Sequence, residues 1–155
     1  MTYHRFSCLA LLLCFAVGCG GSGDRVTGKV TFPDGSPLTV GRVMFTDGTI
    51  TAFGDINARG DFRMGTNKAG DGVPSGTYQV YITGAFVPAD FEIPNEDGGM
   101  STPLILAIAS EFTSPTQSGL TCEVRGSTVF NFTVERAAPV TRSALNAPGG
   151  GEIRD

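Results

Sequence analysis

The sequence predicts an all-β protein, a two-sheet sandwich of about seven strands, on three observations. No segment sustains an apolar repeat every 3.6 residues, so a core of amphipathic helices is excluded. Val, Thr, Phe and Ile instead recur in short bursts that alternate with polar residues. Gly, Pro, Asp and Asn break those bursts at intervals of roughly 8–12 residues, the rhythm of short strands and tight turns.

Each element has its own justification. "RVTGKVTF" (25–32) puts Val26, Gly28, Val30 and Phe32 on one face and Thr27, Lys29 and Thr31 on the other. "PDGSP" then supplies a turn, because Pro fixes φ and Gly accepts a positive one. "LTVGRVMF" (38–45) and "TITAFGDI" (49–56) are the second and third strands, and "DFRMG" (61–65) is a short fourth. After the loop "NKAGDGVPSG" comes "TYQVYIT" (77–83), with Tyr78, Val80 and Ile82 facing inward. "LTCEVR" (120–125) and "STVFNFTVE" (127–135) read as a closing hairpin, with Phe130, Phe132 and Val134 on one face.

A long insertion, 84–119, precedes the last two strands. It is rich in Pro, Gly, Asp and Ser, yet "PLILAIASEF" at its centre is strongly apolar. Long loops in compact domains are usually functional or disordered. The apolar centre is expected to pack on the sandwich as an edge strand or a single helical turn. Residues 137–155 read as a disordered tail.

The N-terminal apolar run, Phe6 to Val17, holds 12 residues. A bilayer-spanning helix needs about 20, whereas a signal-peptide core needs about 7–15. Arg5 and the α-amine form a thin positive region ahead of it, and Ala16-Val17-Gly18 places small residues before Cys19. The resulting layout is a signal peptide at 1–18, a lipidated cysteine with a flexible spacer at 19–24, and the sandwich at 25–136. Cys19 resembles the cysteine of a bacterial lipobox, which carries palmitate-type acyl chains. Ala16 stands where that motif usually has Leu, and an ordinary signal-peptidase cut is the alternative. Gly20 lacks the acidic side chain that would favour inner-membrane retention. An exported protein, lipid-anchored in the cell envelope with the outer membrane favoured, is therefore expected.

The chain has 155 residues, and removing the leader leaves 137, which suits one domain with a real core. Ten lysines and arginines then face fifteen acids, a net charge of −5. With no basic run along the chain, nucleic acid is not expected as a partner. Cys8 and Cys14 leave with the leader. Cys122 would then be single if Cys19 is acylated, behaving as a small core hydrophobe; an unmodified Cys19 would leave a disulfide open.

The strand motifs resemble a known family. "VTGKVTFPDGSPLTVGRVMF", "GDINARGDFRMGT", "DGVPSGTYQVYI" and "FTSPTQSGLTCEV" together look like the carboxypeptidase regulatory-like domain of short bacterial lipoproteins. The resemblance runs from about Val26 to Val134. It departs at Ala109, where a proline is usual, and at Phe112, where a tyrosine is. It implies a transthyretin-like (prealbumin-like) Greek-key sandwich that serves as an accessory, adhesive or structural module and performs no chemistry itself.

The residues argue the same way. His4 is the sole histidine and lies in the leader, which removes Ser-His-Asp and Cys-His catalysis and the usual zinc centres. Many of the acids (Asp34, Asp47, Asp61, Asp71, Asp97) neighbour Gly in turns. No enzyme activity and no cofactor are expected. "DINARG" puts Asp55, Asn57 and Gly60 at the first, third and sixth positions of an EF-hand-like loop. Arg59 at position five and Thr66 at position twelve break that pattern. Asp55, Asn57 and Asp71, or the Asp90/Glu92/Glu96/Asp97 group, remain weak candidates for an irregular calcium site against ordinary Asx turns. Arg59-Gly60-Asp61 matches an adhesion tripeptide that a tight turn would expose, and Asn131 sits in a glycosylation sequon.

The candidate contact surface is Tyr81, Phe86, Phe91 and Phe112. The insertion is expected to cover the first three rings, the alternative being an open patch. The expected role is that of a non-enzymatic envelope lipoprotein serving as a structural or protein-interaction module. Its expected partners are the membrane, through the lipid, and an envelope protein or polysaccharide. The alternative is a small-ligand or carbohydrate-binding module.

Overall fold

The computed structural model describes residues 23–141. The signal-peptide and Cys19 readings, and the tail from 142 onward, lie outside the described residues. The protein is an all-β sandwich. Its first sheet holds β1 (Val26–Thr31), β4 (Asp61–Arg63), β11 (Thr128–Val129) and β12 (Phe132–Thr133). The second holds β2 (Arg42–Thr46), β3 (Thr51–Asp55), β5 (Gly76–Thr83) and β10 (Leu120–Val124), in the order β10-β5-β2-β3. Phe53 and Gly65 exchange backbone hydrogen bonds of 2.8 and 2.9 Å, joining the two sheets at one corner.

Period-two alternation puts one apolar set from each sheet into the space between them. Val26, Val30, Phe62, Phe132 and Val134 come from the first sheet and its extension. Val43, Phe45, Ala52, Tyr78, Val80, Ile82, Cys122 and Val124 come from the second, and all are buried. Phe45 is fully buried at the centre, its ring 6.0 Å from those of both Tyr78 and Phe130. The buried Tyr78 hydroxyl donates to the Pro74 carbonyl at 2.9 Å, so its burial leaves no orphan donor.

The strand readings at 25–32, 49–56, 61–65, 77–83 and 120–125 each hold a strand of the structure. The second strand starts later than its apolar pattern suggests. Gly41, at φ +113, turns the chain, so pairing begins at Arg42; Leu38 is buried ahead of it.

The closing hairpin is a correction. β10 pairs antiparallel with β5, whereas β11 and β12 pair parallel with β1 in the opposite sheet. Gly126, at φ +64, turns the chain from one sheet to the other. A glycine-containing turn looks the same in sequence whether it folds a strand back on itself or carries it across the core. Only the tertiary partner of the Thr128 N–H, the Arg25 carbonyl at 2.8 Å, distinguishes them.

The insertion contributes four more short strands: β6 (Phe86–Pro88) with β9 (Leu104–Leu106), and β7 (Ile93–Pro94) with β8 (Met100–Ser101). A 3-10 turn over Ser110–Thr113 follows. The apolar centre thus ends in the helical turn its sequence allowed, while its strand, β9, pairs with β6 in a separate ribbon and not at an edge of either sandwich sheet.

Replacing Phe45 with Ala removes a ring that both sheets pack against. We expect a loss of about 3–5 kcal/mol of stability with the fold retained. Urea unfolding followed by circular dichroism measures it; a loss below about 1 kcal/mol would contradict this account of the core.

Candidate functional site

The two ends of the sandwich differ. Asp24, just ahead of β1, exchanges backbone hydrogen bonds with Val73 at 2.7 and 2.9 Å. Its carboxylate accepts from Ser75 Oγ at 2.5 Å and from the Gly126 N–H at 2.9 Å. β5 starts at this end, since Gly76 lies opposite Val124, and runs to Thr83 at the other. The insertion leaves from there and docks beside the far end of β1. Ile108 bridges to Arg136, whose guanidinium lies 3.7 Å above the Phe32 ring. Residue 24 and the insertion therefore occupy opposite poles.

The insertion has a fastened base and an open tip. Ala85 and Ile108 are buried in the core cluster and Phe112 packs against it. Ser118, also buried, donates to the Val80 carbonyl at 2.5 Å and so pins the returning chain to β5. The Ala137 N–H reaches the Ala107 carbonyl at 3.3 Å, so the first residue of the expected tail is bonded to the base. By contrast, residues 94–102 are exposed throughout. A turn closed by the Asn95 side chain, which accepts from the Gly99 N–H at 2.6 Å, ends the β7–β8 arm. From 84 to 119 there are five acids (Asp90, Glu92, Glu96, Asp97, Glu111) and neither lysine nor arginine. The arm is a concentrated negative surface.

The four aromatic candidates are dispersed. Tyr81 is half-buried on the outer face of the second sheet, in register with Met44 and Phe53. Phe86 lines a depression with Leu104 and Glu111, Phe91 lines another with Met100 and Thr102, and Phe112 is packed on the core. Cover is incomplete, for Phe86 is 47% and Leu104 67% exposed. The β6–β9 register explains this. Phe86, Pro88, Leu104 and Leu106 share one face and Val87 and Ile105 the other, so tucking Ala85 and Val87 in turns Phe86 out.

The polar candidates are turn residues. Asn57 Oδ1 accepts the N–H groups of Arg59 and Asp61 at 2.8 and 3.0 Å. Asp55 pairs with Arg42 Nε at 2.7 Å. Burial would raise the Asp71 carboxyl, but the N–H groups of Thr66, Asn67 and Lys68 together hold it below the usual carboxylate range. Among the described residues, no three His, Cys, Asp or Glu side chains gather as a metal site would require. The adhesion tripeptide keeps its two charged side chains at the surface, Arg59 at 81% and Asp61 at 41% exposed. Gly60, at φ +82, is buried, and Arg59 Nε folds onto Asp61 at 3.2 Å. A Cβ at 60 would lie 2.6 Å from the Val30 carbonyl oxygen, so this close approach requires glycine. Among the described residues Cys122 has no disulfide partner; it is buried, and burial pushes its thiol up to about 11.

No known family model matches the chain. No curated protein matches it either. Among solved structures, it is similar to a DUF3823 family protein from Bacteroides ovatus, with 20% identity over 72% of this chain and a TM-score of 0.36. It is also similar to a 9R-lipoxygenase from Cyanothece, with 14% identity over 76% of this chain and a TM-score of 0.29. The matched parts span 44% and 17% of those longer chains.

One surface escaped the sequence reading. Arg25, Thr27 and Lys29 on β1 and its lead-in, with Arg59, Asp61 and Arg63 on β4 and its lead-in, line an open hollow of about 680 Å³. The signal was present: both runs place charged or polar side chains two residues apart, on the outward face of a strand.

At the insertion pole, Asp34 ties the 33–37 turn to Arg136, a few residues beyond β12. The Ser36 hydroxyl, the Ser36 N–H and Arg136 together lower its carboxyl to about 2. Its contribution to stability is present above the ordinary value of 3.8 and is lost as the pH falls toward 2. Carboxyl-carbon NMR titration should give a midpoint near 2 for Asp34, returning toward 3.8 in the Ser36→Ala/Arg136→Ala protein. A midpoint of 3.8 in the unsubstituted protein would contradict the bonding described.

Proposed function

We propose that the chain is an exported, non-enzymatic lipoprotein of the cell envelope, anchored through Cys19, with the outer membrane the favoured site. Its sandwich resembles a carboxypeptidase regulatory-like domain and acts as a rigid stand. The acidic insertion at 84–119 is the part that meets a partner. The observation carrying this reading is the polarity of the fold: Asp24, which leads back toward Cys19, and the insertion lie at opposite poles. A tether at the first end presents the second end outward.

The tip's chemistry specifies the partner. Four carboxylates on the arm and its lead-in (Asp90, Glu92, Glu96, Asp97), with no cation among them, favour a basic protein surface, and such complementarity speeds encounter and selects partners. The contact should be salt-sensitive, because exposed charges are screened beyond about 8 Å at physiological ionic strength. Loops on a rigid β frame commonly carry binding in this way.

Mass spectrometry of the mature N-terminus from native membranes should find acylated Cys19, with Cys19→Ala blocking it. An unacylated start would overturn the tether. In a pull-down from envelope extracts, replacing Asp90, Glu92, Glu96 and Asp97 with their amides should cut capture of specific partners at least ten-fold. An unchanged partner set would overturn the assignment of the insertion.

A further inference from the structure

The hollow on the first sheet is the electrostatic opposite of the insertion. Four of the chain's eleven lysines and arginines line it (Arg25, Lys29, Arg59, Arg63), against two of its fifteen acids. Those two are already engaged. Asp55 pairs with Arg42, and Asp61 is shared by Arg59 at 3.2 Å and Lys29 at 4.0 Å. Arg25 and Arg63 form no salt bridge among the described residues.

Strand register fixes how these groups are arrayed. Thr27 lies opposite Arg63 on one side and Val129 on the other, so Arg63, Thr27 and Val129 form a row across β4, β1 and β11. Lys29 and Asp61 begin a second row. Arg63 is held in place because its methylene stem lies over Gly70, where a Cβ would come 2.5 Å from Cδ. Val129, 70% exposed, gives the basic hollow an apolar contact.

The β7–β8 arm carries the matching features. Asp90, Glu92, Glu96 and Asp97 are exposed along it, and Met100, 51% exposed, gives it an apolar side chain of its own. Resting on the reading of the insertion as a contact surface, we infer that the basic surface it meets is the hollow of a second copy of this chain. The acidic arm of one copy docks on Arg25, Lys29 and Arg63, with Met100 against Val129. Arm and hollow are different patches, so the contact is heterologous. Each docked copy leaves one arm and one hollow free, and the assembly extends head to tail unless its rotation closes a ring.

The chain's lysines, Lys29 and Lys68, make a direct test. Full-length protein in nonionic detergent is prepared as an equal mixture of ¹⁴N and ¹⁵N chains and treated with a zero-length carbodiimide, which condenses an amine and a carboxylate with loss of water. The expected products are mixed-isotope peptides joining Lys29 to the 90–97 carboxylates. Their yield should fall at least ten-fold in 0.5 M salt and in the Arg25→Gln/Arg63→Gln protein, which keeps the Arg63 stem. In sedimentation velocity, Arg25→Glu/Arg63→Glu should abolish association, and adding Glu96→Arg/Asp97→Arg to the same chain should restore it. Circular dichroism of each variant confirms the fold. Cross-links confined to one isotope, mixed cross-links equally frequent at Lys68, or a failure of the swap to restore association would each overturn the inference. Envelope capture that still depends on the arm, with no mixed cross-links, would sink this inference alone and leave the proposed function standing.

Discussion

The first sheet depends on β1 being paired along both edges. β4 runs antiparallel on one side, while β11 and β12 run parallel on the other. β4, β11 and β12 have three residues or fewer each, too short to stand as a ribbon of their own in water. They persist because Val26–Thr31 satisfies their backbone groups and because Val26 and Val30 seal the core beneath them. The parallel partners arrive 102 residues later, Thr128 opposite Val26. Loop-closure entropy grows only slowly with length, so the long excursion through the second sheet and the insertion is tolerated.

Much of this architecture was legible in the sequence, for a definite reason. A strand buried on one face must alternate, and "TYQVYIT" and "LTCEVR" alternate cleanly, so both the strands and their inward residues could be read. The pairing of the last strands was not legible, because no local pattern distinguishes a return within a sheet from a step between sheets. The insertion fell between these cases. Its apolar centre announced burial, and Ile108 is indeed buried, but the outward turn of Phe86 depends on a register with Leu106 that lies 20 residues away.

The candidate site was less legible than the fold. The four rings were grouped because they are near one another along the chain and aromatic, yet the structure disperses them. The charged features were written plainly: an insertion without cations, and two strands whose outward positions, with their lead-ins, read Arg25-Thr27-Lys29 and Arg59-Asp61-Arg63. The acids were read only as a weak calcium group and the basic hollow was missed, because a linear count of charge averages over both. Folding joins two runs that are distant in the sequence, 25–29 and 59–63, into one basic hollow, and it leaves the acidic arm on a separate element.

The bonding around Asp24 also bears on how the protein carries mechanical load. A pull applied at Gly23 along the axis of β1 meets the Asp24–Val73 pair, the Ser75 and Gly126 contacts to the carboxylate, and then the ladders on both edges of the strand. These bonds lie across the direction of pull, so they are strained together in shear instead of parting one after another. Anchored at this end, the domain would resist extraction as a unit. The force would stop at the body of the sandwich, leaving the arm at the far pole unloaded and its geometry undisturbed.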